Sequence, residues 1–151
     1  MYDGAQGKYG SGLSICYFSD IQDPRLFSNL VNHEAIGHGF GKLGDEYAYE
    51  YMGKYIPGTD NSLITHELMG WFKNVDVNGD PAKIKWAKFI ADSRYANDGV
   101  GVFEGAFTYW TGIYRPSDFS TMRYNDGGFN APSREAIWCR IQHLSNGPEW
   151  E

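Results

Sequence analysis

The sequence predicts an α+β domain, and three observations carry that expectation. Apolar residues recur at helical spacing in Leu26, Phe27, Leu30 and Val31, and again between Pro132 and Ile141. Leu13, Ile15 and Tyr17 alternate as a half-buried strand does. A third run, Gly99 to Trp110, is β-prone and broken by glycine. The chain has 151 residues and a mass of 17.1 kDa. One domain of that size buries about 68–70% of its unfolded surface, enough for a core. Nineteen glycines and eleven tyrosines point to many turns and a loop-rich fold.

Taken in order, residues 1–12 are Gly-rich and polar, and 12–18 reads as a strand closed by Ser19-Asp20. Asp23-Pro24 opens a helix, with proline at the first helical position. The helix runs through His33, Glu34 and His38 and ends near Gly39 or Gly41. Asp60-Asn61-Ser62 caps a second helix that contains His66, which is read as structural or exposed. Asp76-Val77-Asn78-Gly79-Asp80 resembles a fragment of a calcium loop but lacks the closing Glu, so a plain turn is expected. Pro81–Ala91 is amphipathic through Ile84, Trp86, Phe89 and Ile90 and is expected to be a helix on the core. Glu104, alone in its β-prone run, is assigned a structural role over a substrate contact. Ser120-Thr121-Met122-Arg123-Tyr124 reads as a short polar turn with one buried methionine, and Pro132–Ile141 as a closing helix.

The densest chemistry lies between Asn32 and Tyr47, which holds two of the four histidines, three carboxylates and four glycines. A His-Glu pair on a helix with a second His downstream is a zinc-peptidase signature: the imidazoles bind metal and the carboxylate works on water. The spacing is unusual. Three residues, Ala35, Ile36 and Gly37, separate Glu34 from His38, so the histidines stand at i and i+5. On a regular α-helix an i,i+4 pair is offset by about 40° and an i,i+5 pair by about 140°. Two rings so splayed cannot share an ion at roughly 2.0–2.1 Å. A one-residue π-bulge would absorb the extra residue, with Gly37 the easiest place for it. Without a bulge, Glu34 and His38 share a face instead, as a salt bridge or as two ligands without His33. Gly41 and Gly44 allow a turn that returns Asp45 or Glu46 as a third ligand; a solvated acidic turn is the plainer alternative. Gly39-Phe40-Gly41-Lys42-Leu43-Gly44 also spells G-x-G-x-x-G, but a dinucleotide site needs a strand before it and a helix after it.

Composition excludes several classes. Thirteen Lys+Arg against nineteen Asp+Glu give −6 and a pI near 5.1, with no basic stripe, so no nucleic-acid partner is expected. No apolar run is long enough for a membrane span, and Met1-Tyr2-Asp3 does not begin a signal peptide. Cys16 and Cys139 give no disulfide framework; one bridge between them is open, and two buried free thiols is the preferred reading.

From His33-Glu34 through His38 to Leu43-Gly44-Asp45-Glu46-Tyr47, the chain resembles the bacterial IgA-peptidase family of zinc metalloendopeptidases, among the metzincin-like peptidases, and is closest to Bacteroides-type versions. The likeness continues through Phe103-Glu104-Gly105, Tyr114-Arg115-Pro116, Ser120–Tyr124 and Ala131–Ile137, covering about residues 10–145. It implies a metzincin-like catalytic domain: an active-site helix, a partial sheet, a loop-rich C-terminal part with a Met-turn, and a closing helix. His33, His38 and Asp45 would bind one zinc ion. Glu34 would be general base and acid. Met122 would lie beneath the metal, and Tyr124 would stabilise the oxyanion as in astacin-like members. The extra residue between Glu34 and His38 departs from the common pattern; dipeptidyl-peptidase III has a comparable His-Glu-x-x-x-His spacing and binds zinc through both histidines. The resemblance further implies upper-sheet strands before residue 1, hence an N-terminally truncated domain of a secreted or cell-surface bacterial protein. The expected partner is a protein or peptide substrate, including a host glycoprotein or immunoglobulin. The rival expectation is a non-catalytic carbohydrate- or protein-binding module that keeps a degenerate or structural metal site.

Overall fold

A computed structural model describes residues 14, 16 and 24–147. The chain is a mixed α+β structure of short helices around a small three-stranded sheet. The strand expected over residues 12–18 falls almost wholly outside the described residues.

Helix α1, Pro24–Val31, passes without a break into a π-helix, Asn32–Phe40. No α1 residue is fully buried, and Leu26 remains 60% exposed, so its apolar stripe is only partly covered. The Gly41 N–H closes the π-helix onto the Ile36 carbonyl, five residues back, at 2.8 Å. The extra residue is therefore absorbed by i→i+5 winding over the whole motif, not by a single bulge. Two close approaches depend on missing Cβ atoms. A Cβ on Gly37 would lie 2.3 Å from Met122 Sδ, and one on Gly41 would lie 2.8 Å from Ile137 Cγ1.

Beyond the helix the chain extends into β1, Ala48–Lys54. The sheet order is β1-β3-β2, with β3 at Thr108–Arg115 and β2 at Phe103–Ala106. Strand β1 runs parallel to β3, pairing Ala48 with Thr108 and Tyr49 with Tyr109. Strand β2 is antiparallel to β3, with Glu104 opposite Tyr114. The turn between them places Phe107 and Thr108 at φ 50° and 70°, which costs about 1–2 kcal/mol per residue. The same two residues donate to the Asp45 and Tyr47 carbonyls at 2.9 and 3.0 Å, so the turn steers the segment between helix and sheet.

Helix α2, Asn61–Leu68, starts as expected: the Asp60 side chain accepts from Leu63 N at 3.0 Å. It covers a core of Tyr55, Leu63, Phe72, Val75, Ala106 and Ile113. A second cluster joins Ile84, Trp86, Phe89 and Ala131. The helix expected over 81–91 shrinks to α3, Ala87–Ala91. Its would-be first turns are drawn elsewhere. Lys85 N donates to Asp76 Oδ2 at 2.8 Å, and Trp86 Nε1 donates to the Gly101 carbonyl at 2.7 Å. Asp76, Asn78 and Asp80 accept from backbone amides through their side chains, as a plain turn does. Glu104 likewise accepts from Gly112 N at 2.9 Å, a structural use.

Helix α4, Thr121–Tyr124, is a single turn with Met122 fully buried. The closing helix α5, Ala131–Asn146, is longer than expected and is capped by the Asn130 side chain on Ser133 N at 3.1 Å. Both cysteines are free; Cys139 is exposed, which corrects the expectation that it is buried, because it stands on the wall of an open cavity beside α5. No helix among the described residues is long and apolar enough to cross a membrane.

Glu46 ties these parts together. Fully buried, its carboxylate accepts from Asn74 Nδ2 (2.8 Å), Ser120 Oγ (2.6 Å) and Asn130 Nδ2 (2.9 Å). Burial pushes its pKa up, and the bonds from Ser120, Asn74 and Asn130 oppose that without cancelling it. Glu46→Ala leaves the Ser120 hydroxyl without its acceptor and the Asn74 and Asn130 amides each with one acceptor fewer, and is expected to cost about 3 kcal/mol, read from urea unfolding. Gly37→Ala is expected to cost about 1–3 kcal/mol by overpacking against Met122, and Met122→Ala in the same chain should recover part of that loss in the same assay.

Candidate metal centre

The π-helix turns His33 and His38 to the same side, because winding that closes on the fifth residue stacks i over i+5. Their Nε2 atoms lie 3.1 Å apart with the rings nearly perpendicular. The segment after Gly44 supplies the third group. It is extended, so successive side chains point to opposite sides. Asp45 faces the histidines, Glu46 faces the core, and Tyr47 returns to the Asp45 side. Asp45 Oδ1 lies 3.2 Å from His33 Nε2 and 3.0 Å from His38 Nε2. The alternative left open in the sequence, Asp45 or Glu46, is thus resolved by alternation: only Asp45 reaches the histidines.

The ring nitrogens facing away show what this cluster requires. His33 Nδ1 sits 2.8 Å from the Thr121 carbonyl, and His38 Nδ1 sits 2.7 Å from the Leu43 carbonyl. A carbonyl only accepts, so both Nδ1 atoms carry the proton. In the neutral rings, both Nε2 atoms then present bare lone pairs to each other and to a carboxylate oxygen. With both rings neutral, three acceptors converge with no donor among them, and only a proton on one imidazole or a bound cation relieves that. Two ligands bound tetrahedrally at about 2.0–2.1 Å stand about 3.3 Å apart, within a few tenths of an ångström of the separations here. The carbonyl contacts also fix ring orientation, as the outer partners of metal-bound histidines do. His33, His38 and Asp45, all buried, form a group that could hold a metal ion.

Electrostatics agree. Burial pushes the His38 pKa down, but the hydrogen bond and charge of Asp45 outweigh it and leave the ring above its ordinary value. Burial pushes Asp45 up, yet the hydrogen bonds from His33 and His38 hold it well below the usual carboxylate range. Glu34 follows His33 in the π-helix, is buried, and its Oε2 has no hydrogen-bond partner. Such an atom is rare without a role.

The α4 turn supports the centre three times over. Its Thr121 carbonyl holds His33, Met122 packs on Gly37, and the Met122 carbonyl accepts from Glu46 N at 2.9 Å. Tyr124 stands on the same turn. It is half-exposed and stacks on Phe119 at 5.3 Å. It lines a cavity of about 510 Å³ that Tyr47, Trp110 and Arg123 also border. Tyr47 is the tyrosine beside the cluster: its ring stacks over His33 at 6.4 Å. Its pKa is pushed up, first by burial and then by the neighbouring Asp45 carboxylate. Reading the sequence did not single out Tyr47, although its place two residues after Asp45 in an extended segment was the available signal. His66 lies apart, stacked on Trp71. Gly39–Gly44 follows a helix and leads to a strand, the reverse of a dinucleotide site.

No family model matches the chain, and no curated protein sequence matches it.

The full chain is expected to take up one equivalent of a divalent metal, and Asp45→Ala to weaken it at least tenfold in a chelator competition. Uptake should fall as pH drops through the range where His38 gains its proton. Asp45, held low, stays ionised there, so the titration over pH 5–8 should follow an imidazole and not a carboxylate.

Proposed function

We propose that this protein is a zinc-dependent endopeptidase, with His33, His38 and Asp45 holding the metal and Glu34 acting as general base and acid. The observation that carries the reading is the convergence of three unprotonated ligand atoms beside a buried carboxylate with one oxygen unpartnered. Imidazole nitrogens and one carboxylate suit zinc, and three protein ligands are the usual number at a catalytic zinc. Zinc in such a site supplies Lewis acidity, lowering the pKa of a water toward ~7 and polarising a peptide carbonyl.

The remaining work falls to the chain. Glu34 Oε2 takes the proton of the attacking water and later passes it to the leaving amine. Burial of Glu34 keeps bulk water from occupying that oxygen. Thr121 and Leu43 hold the imidazoles in one tautomer. Tyr47 packs over His33 and beside Asp45, which positions both. The cavity bordered by Tyr124 and by Tyr47, whose ring stacks on His33, offers room for an extended peptide, and the Tyr124 hydroxyl, with no hydrogen bond among the described residues, is the donor offered to the developing oxyanion. The metzincin-like resemblance of the motif, with Met122 beneath Gly37, supports the same reading.

Glu34→Gln should retain metal while peptide cleavage falls by roughly three orders of magnitude or more, measured on a peptide library with zinc content checked in parallel. Tyr124→Phe should lower kcat roughly a hundredfold with zinc unchanged. Full cleavage by purified, zinc-loaded Glu34→Gln would remove the base assignment.

A further inference from the structure

A second concave site lies on the other side of the Gly41–Leu43 turn, where the π-helix exit meets α5. This cavity of about 480 Å³ is bordered by Lys42, Lys73, Lys85, Lys88 and Arg140. Those are five of the thirteen Lys+Arg of a chain whose net charge is −6. The one carboxylate on its wall, Glu135, is engaged by Lys88 at 2.7 Å. Lys85 reaches out to Glu67 at 2.5 Å. Lys42, Lys73 and Arg140 have no carboxylate partner among the described residues.

Lys42 is held in place, and Arg140 keeps an unpartnered nitrogen. Lys42 Nζ donates to the Gly39 carbonyl at 2.6 Å and sits 4.6 Å from the centre of the Trp71 ring. Arg140 Nε is buried and makes no hydrogen bond. Burial pushes the Lys42 pKa down, and the nearby Arg140 charge pushes it further the same way. Two cations kept close in a partly desolvated wall repel each other, and an anion between them removes that repulsion.

We propose that this cavity binds a compact oxyanion, a phosphate or sulfate group, through Lys42, Lys73 and Arg140. The aromatic rings on the wall are already engaged or buried: Trp71 carries His66 at 4.8 Å and the Lys42 ammonium, Phe89 carries Lys88 and Tyr95, and Trp86 is buried. An extended polyanion is disfavoured, because the cations are confined to a concavity in a net-negative molecule. Guanidinium and ammonium groups suit the tetrahedral oxyanion: Arg offers paired N–H donors and Lys a point charge. This site is separate from the metal cluster and does not rest on the peptidase reading.

The test is calorimetric titration of the zinc-loaded full chain with inorganic phosphate in low-salt buffer, repeated with phenyl phosphate. One saturable site is expected, weakened by added sodium chloride. Arg140→Ala and Lys73→Ala should each weaken it at least tenfold, and the double variant should abolish it, with zinc content and unfolding midpoint unchanged. Lys73 is exposed, so its variant keeps the test alive if Arg140→Ala misfolds. Tighter binding of phenyl phosphate identifies an organic monoester as the ligand class; equal binding identifies the free ion. Absence of saturable binding by both, or undiminished binding in the double variant, including binding at the zinc, overturns the proposal.

Discussion

The structure depends on the pitch of one helix. Nine residues, Asn32–Phe40, wind so that each turn closes five residues on. That winding places His33 beside His38 and leaves their lone pairs aimed at one point. Little else in the molecule would require it. A π-helix is rare, and its geometry gains nothing intrinsic over the α form. It persists here because its neighbours hold it. Met122 fills the space where a Gly37 side chain would stand, α5 presses Ile137 against Gly41, and two carbonyls hold the outward ring nitrogens.

Around that helix the fold supplies two further supports. The first is Glu46, a buried carboxylate that gathers Asn74, Ser120, Asn130 and Ser133 from three separate regions of the chain. The second is the Phe107–Thr108 turn, whose two left-handed residues are tolerated because their amides fix the Asp45 and Tyr47 carbonyls. Between them these supports hold an extended segment in which Asp45 must face the histidines and Glu46 must face away. A single extended segment therefore provides a metal-competent oxygen on one side and the anchor of the core on the other.

The two concave sites differ in the chemistry they gather. One joins acceptors, two imidazole nitrogens and a carboxylate oxygen, and calls for a cation. The other joins donors, Lys42, Lys73 and Arg140, and calls for an anion. The Gly41–Leu43 turn separates them: its Leu43 carbonyl steadies His38, and its Lys42 side chain enters the second cavity. In both places the misfit of like polarity locates the site, since a protein seldom leaves such groups facing each other without a ligand.

Much was written in local chemistry. The helix through His33 and His38, the Asp60-capped helix α2, the turn carrying Met122 and the closing helix α5 are all visible as caps, prolines and apolar spacing, because those signals act over a few residues. The ligand types and the need for abnormal winding between Glu34 and His38 were also legible, since i,i+5 spacing defeats an α-helix by arithmetic alone. Tertiary structure decided the rest. Partners 28 to 87 residues away chose Asp45 over Glu46 and buried the latter among donors no local pattern announces. Long-range bonds from Asp76 and Gly101 cut the expected 81–91 helix to five residues. Tyr124 stacks on Phe119, and Tyr47, which no local pattern assigned to the site, lies over His33. Sequence spacing fixes which groups one turn of chain can present, but which of them meet depends on contacts between segments that only the folded chain brings together.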